Sequence, residues 1–171
     1  KWNVIINSHE LIKKQIPILP LTVVITADIK SCEKIAKEFE SFLMNKYSLN
    51  KEEVEAKILI VHSKSSMIDK IRLKTVDDKE SKVEWIFSVS MLTEGWDVKR
   101  VFQIVPHEER AFNSKLLIAQ VLGRGLRVPV IWNNSLYGKP KVVIFNHAKW
   151  SNSVKKLVDE VLEIEKKISN T

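Results

Sequence analysis

"LTVVITADIKSCEKIAKEF" (residues 21–39) changes its period part-way along. Its first seven residues are an apolar run rich in Val and Ile without polar alternation, the pattern of a strand covered on both faces. The continuation, "SCEKIAKEFESFLMNKY" (31–47), sets Ile35, Phe39 and Phe42 at the spacing of a helix core face, with Ser31 as the N-cap candidate.

Working outward, four more runs read as buried strands: "AKILIVH" (56–62), "EWIFSVS" (84–90), "VFQIVP" (101–106) and "KVVIFN" (141–146). Helical stretches fall between and after them. "SMIDKIRLKTV" (66–76) is short and polar, and "FNSKLLIAQVLGRGLR" (112–127) has Asn113 or Ser114 as its cap candidate. "SNSVKKLVDEVLEIEKKI" (151–168) carries Val154, Leu157, Val158, Val161, Leu162 and Ile164 on a broad stripe. "DDKESK" (77–82) reads as an exposed loop and "NNSLYGKPK" (133–141) as a turn. Alternating strands and helices predict an α/β domain with a mostly parallel sheet. Such sheets bind ligands beyond the carboxyl ends of their strands, which directs attention past Ser90 and past Pro106.

At 171 residues the chain suits one domain. It has no apolar stretch of the ~18 residues that a membrane span needs. The start, "KWNVIINSHELIKK", is unlike a signal peptide and has no initiator Met, so a fragment of a longer multidomain protein is expected. A single cysteine, Cys32, excludes an internal disulfide and suggests a reducing compartment, the cytoplasm. The net charge of +7 is concentrated: from Ala111 to Val158 there are eight Lys or Arg and no Asp or Glu. The remainder carries 20 basic and 21 acidic residues. Such a block is either a solvated face or a surface for a polyanion such as nucleic acid or nucleotide phosphate.

Several chemistries are missing. The glycines (Gly95, Gly123, Gly125 and Gly138) form neither a Walker phosphate loop nor GxGxxG. His9, His62, His107 and His147 are too scattered for a metal cluster, and no metal site is expected. "ESK" (80–82) matches half of a nuclease metal site but lacks an aspartate on a neighbouring strand.

Two stretches carry more. "SVSMLTEGWDVKRV" (88–101) runs from a strand into a polar loop holding Thr93, Glu94, Gly95 and Asp97. Loops at strand ends with a hydroxyl, two carboxylates and a glycine are common ligand-contact elements, although a plain turn reads the same way. "LLIAQVLGRGLRVP" (116–129) spends two of the four glycines beside Arg124 and Arg127, at about 1 kcal/mol each against Ala in a helix. Gln120, Arg124 and Arg127 stand at i, i+4 and i+7, one stripe of a continuing helix, and Gly123 leaves the surface beside them bare. Two guanidiniums there suit a phosphate, or else simply complement a helix C-terminus.

Together, "SMLTEGWD" and "QVLGRGLR" resemble motifs V and VI of superfamily 2 DEAD/DEAH-type helicases and translocases, with the restriction (Res) subunit of type III restriction enzymes as the best match. "LTVVITADIKSCEKIAKEF", "ILIVHSKSSMIDKIRLKTV" and "WIFSVSMLTEGWDVKRVFQIVP" follow in family order, so the resemblance spans roughly residues 20–165. It implies a second RecA-like (helicase C-terminal) domain over residues 1–171, a three-layer α/β/α fold with a mostly parallel central sheet. Arg127 would then be the arginine finger, Arg124 its companion and Gln120 the positioner of phosphate or water. Gly95, Asp97 and Gly123 would bind ATP or couple its site to motif VI. Thr93 and Glu94, with His62, Ser63 and Lys64, would contact the nucleic-acid backbone.

The cofactor implied is ATP with Mg2+, held mainly by a first RecA-like domain that carries the Walker loop and DExx box; this chain alone would bind none and hydrolyse nothing. Expected partners are that first domain, DNA (with RNA left open) and a modification or specificity subunit, and no membrane. Any endonuclease activity of the parent would lie in another domain. The alternatives are a non-catalytic nucleic-acid-binding module of the same fold and, less favoured, a standalone α/β enzyme.

Overall fold

The computed structural model describes residues 1–89, 98–107, 133–138 and 141–145, together with 155, 156, 159, 160 and 163. The elements in order are α1 (Trp2–Gln15), β1 (Leu21–Thr26), α2 (Ile29–Tyr47), α3 (Lys51–Lys57) and β2 (Ile58–Val61). They are followed by α4 (Met67–Lys74), β3 (Trp85–Val89), β4 (Val101–Pro106), a short α5 (Asn134–Tyr137) and β5 (Val143–Ile144). The strands form one sheet in the order β2-β3-β1-β4-β5, with every pairing parallel.

Each apolar run read as a strand contains one, and β4 coincides with its run. Four local readings change. "AKILIVH" is split, because Ala56 and Lys57 close α3. A capping box starts that helix: Asn50 Oδ1 accepts the Glu53 N–H at 2.9 Å and Glu53 Oε2 accepts the Asn50 N–H at 2.8 Å. The cap of α2 is Asp28 rather than Ser31, since Asp28 Oδ1 accepts the Ser31 N–H at 2.8 Å and the helix begins at Ile29. Residues 2–15 form α1, a helix not expected from the sequence. Within the stretch read as a turn, Asn134–Tyr137 coil into α5 before Gly138, whose φ of 69° suits glycine. The predicted 112–127 helix lies outside the described residues; of 151–168, the described positions 155, 156, 159, 160 and 163 are helical.

Alternation along the strands separates two cores. On one face Val24, Trp85, Phe87 and Val105 meet Ile5 and Ile6 of α1, Cys32, Ile35, Ala36, Phe39 and Leu43 of α2, and Val54 of α3. Phe39 is the hub: its ring centroid lies 4.7 Å from Trp2, 4.6 Å from Trp85 and 5.4 Å from Phe87. The other face packs Val23, Ile25, Leu59, Val61, Ile86 and Ile104, with Leu73 of α4 and Ile144 of β5 against them. Helices on both faces make the three-layer α/β/α arrangement. A register shift between Leu21 and Thr22 sets Val101 and Gln103 opposite consecutive residues, which keeps Val101 and Ile104 on one core face.

Candidate functional site

β1 is the centre of the sheet and both its neighbours come from later in the chain. The register Thr26↔Val89 and Ile25↔Pro106 brings the carboxyl ends of β1, β3 and β4 to one level. The connection leaving β1 leads toward β2, while the one leaving β4 leads to β5 on the opposite side. The crevice between β1 and β4 is therefore the topological switch point, where open α/β sheets hold their ligands. The single proton of Thr26 Oγ1 is shared between Ser88 O (3.3 Å) and Asp28 O (3.4 Å), and the His107 N–H donates to Ile25 O (2.9 Å). These bonds fix the rim of the crevice in backbone.

Gln120, Gly123, Arg124 and Arg127, and likewise Thr93, Glu94, Gly95 and Asp97, lie outside the described residues. Val89 and His107, which lead toward those two segments, stand at the ends of strands on either side of β1. That separation is two strand spacings, about 10 Å.

The described members of the predicted site are His62, Ser63 and Lys64, at the carboxyl end of the edge strand β2. There they form a turn that ends at the α4 cap. His62 N–H donates to Ser65 Oγ (2.8 Å), which donates on to Ile60 O (3.2 Å). The His62 side chain is 9% exposed; its Nδ1 accepts the Lys64 N–H (3.2 Å) and its Nε2 faces Glu33 Oε1 at 3.5 Å. The ring therefore shapes the turn, and Ser63 and Lys64 are left exposed beyond it. Ser66 caps α4: its Oγ accepts the Asp69 N–H at 3.1 Å and donates to Asp69 Oδ2 at 2.6 Å. Cys32 is fully buried, and burial lifts its thiol to about 11, so no thiolate nucleophile forms near neutrality. Among the described residues no group of His, Cys, Asp and Glu is placed to hold a metal ion, and none of the helices is long and apolar enough to cross a membrane.

A second polar centre, at the amino end of the sheet, was not anticipated from the sequence. Glu84, 3% exposed, receives His9 Nε2–H at 3.0 Å and Lys13 Nζ at 2.9 Å on one oxygen, and Lys57 Nζ on the other. His9 Nδ1 accepts from Thr22 Oγ1 (2.8 Å), and that oxygen accepts from Gln103 Nε2 (3.2 Å). Gln103 also donates to Ile5 O (3.1 Å), so one chain of bonds joins α1 to β1, β3 and β4. Burial pushes the Glu84 carboxyl up, but the hydrogen bonds from His9, Lys57 and Lys13 outweigh it and bring it down to about 2. Nearby, buried Arg100 donates to Leu19 O (2.6 Å) and Val76 O and lies 3.4 Å from Asp77 Oδ1. Asp77, read from the sequence as part of an exposed loop, is thus half-buried and also accepts the Lys99 N–H at 2.8 Å. The signal for this centre was polar residues (Thr22, Glu84, Gln103) within or beside otherwise apolar strands.

No family model matches the chain, and no curated protein matches it. Among solved structures, the chain is similar to the C-terminal domain of the DEAD-box protein Dbp5, with a TM-score of 0.54 and 16% identity. That match covers 91% of this chain and 76% of the other. At this identity the likeness is one of fold. The chain has the RecA-like α/β fold.

Proposed function

We propose that the chain is the second motor domain of an ATP-dependent DNA helicase or translocase of the type III restriction enzyme kind. The observation that supports this reading is that Val89 and His107, the described residues that precede the two motif-bearing segments, end at the strands on either side of β1. ATP with Mg2+ is the substrate, shared with a first RecA-like domain that supplies the Walker loop and DExx carboxylates. Arg127 acts as the arginine finger with Arg124 beside it, and Gln120 orients phosphate or water; Gly123 keeps the approach open. Gly95 and Asp97 contact the nucleotide or couple its site to the Gln120–Arg127 segment, and Thr93, Glu94, Ser63 and Lys64 meet the nucleic-acid backbone, with His62 holding the turn. A cation delivered on closure stabilises the charge spread over the transferred phosphoryl group, an effect worth roughly 10³–10⁵ in rate.

The test is DNA-stimulated ATP hydrolysis by this chain, by the longer protein that includes the first domain, and by that protein with Arg127→Ala. The expected result is no turnover, turnover, and a loss of about 10³-fold or more. Full turnover in the Arg127→Ala protein removes the finger assignment. DNA binding without turnover in the longer protein favours the non-catalytic nucleic-acid-binding module.

A further inference from the structure

α1, α2 and α3 each bury residues in the sheet core, whereas α4 buries none. Short helices draw their stability from packing an apolar face, so an eight-residue helix with three of its four apolar residues outward lacks most of its usual support. Met67 is 73% exposed, Ile68 70% and Ile71 54%. At ~100° per residue these three fall within an arc of about 100°, and Leu73 points the other way, to the sheet. Lys70 and Lys74, both exposed and one turn apart, run along one edge of the arc. The acidic residue of the helix is engaged elsewhere: Asp69 accepts from Ser66 and lies 3.8 Å from Arg72. Arg72 is itself committed to the carbonyls of Glu55 and Ile58 (3.0 and 3.1 Å).

The surface is therefore an apolar ridge with a cationic edge. It has no aromatic ring or guanidinium face on which a base could stack, and its centre offers no side-chain donor to a phosphate. Its complement is a helix carrying an apolar stripe bordered by carboxylates. We propose that α4 is a docking ridge for such an acidic amphipathic helix of a partner protein, which covers Met67, Ile68 and Ile71 and sets its carboxylates against Lys70 and Lys74. The helix is about 12 Å long, far less than the ~800 Å² per side of a stable complex implies, so the contact belongs to the transient class.

The experiment uses the full 171-residue chain and a labelled helical peptide of about 18 residues, with a leucine stripe edged by glutamates. Fluorescence anisotropy is expected to show saturable binding that falls about tenfold or more with Ile71→Glu. Lys70→Glu with Lys74→Glu should reverse the preference, so that a lysine-edged version of the peptide binds better. Circular dichroism confirms that each variant is folded, and Ile71→Ser replaces any that is not. Equal peptide binding by wild type and Ile71→Glu, or an edge charge without effect, overturns the proposal. Displacement of the peptide by single-stranded oligothymidylate also overturns it, assigning the ridge to nucleic acid.

Discussion

The two ends of the sheet use charge in opposite ways. At the amino end, Glu84, His9, Lys13 and Lys57 close on one another, and Arg100 is bound to Asp77 and two carbonyls. At the carboxyl end, Ser63 and Lys64 stand exposed on a turn whose hydrogen bonds are made by His62 and Ser65. Polar groups at one end are consumed inside the fold, several of them in holding α1 on the sheet, while Ser63 and Lys64 at the other are held out toward solvent. Charge inside a fold of this kind is informative about function only after its partners are known.

The sharpest way to break the contrast is Glu84→Ala. Removing one member of a buried ion-pair cluster strands the others, and a loss of about 3–5 kcal/mol in urea unfolding is expected. Nucleic-acid affinity per folded molecule should be unchanged; a proportional loss of both would mean the two ends are not separate. Acid gives the same comparison without mutation. The Glu84 carboxyl titrates near 4.5 in the unfolded chain and at about 2 in the fold, so its contribution is complete above pH ~4.5 and is lost as pH falls toward 2. That shift corresponds to about 3 kcal/mol, checked by urea midpoints between pH 6 and 2. In Glu84→Gln this part of the acid sensitivity should vanish.

Smaller changes refine the picture. Ser48 ends α2 with a φ of 52°, a conformation that glycine adopts freely. Ser48→Gly should therefore raise thermal stability by about 0.5–1 kcal/mol. Last comes Lys64→Ala, expected to leave unfolding within about 0.5 kcal/mol of wild type. It should reduce the slope of log affinity against log salt for single-stranded DNA by about 0.7. An unchanged slope would take Lys64 off the proposed nucleic-acid face.

The strand pattern was legible because parallel sheets are covered on both sides, and runs such as "LTVVIT" and "VFQIVP" announce that directly. α1 was harder to see: Trp2, Ile5, Ile6 and His9 do repeat at helical spacing, but the histidine masks the stripe unless its partner is known. That partner, Glu84, lies 75 residues away, a separation no local pattern reports. Lys57 was read as strand because Asn50 and Glu53, which set the start of α3, look like ordinary loop residues until their reciprocal bonds are drawn. At the candidate site the sequence marked His62, Ser63 and Lys64 together but not their division of labour, since both ring and lysine side chain are polar. Their burial separates them.

The position of β1 has a consequence for the growing chain. Its partners are residues 85–89 and 101–106, so during synthesis the central strand waits for more than half of the domain before either edge is paired. Contacts of such sequence separation form slowly, because the loop must be closed before any pairing energy is gained. Until then an edge of Val and Ile is open to other chains, and capacity to fold rather than final stability should limit the yield of soluble protein. Chains truncated before residue 85 are expected to aggregate rather than to accumulate as partly built domains.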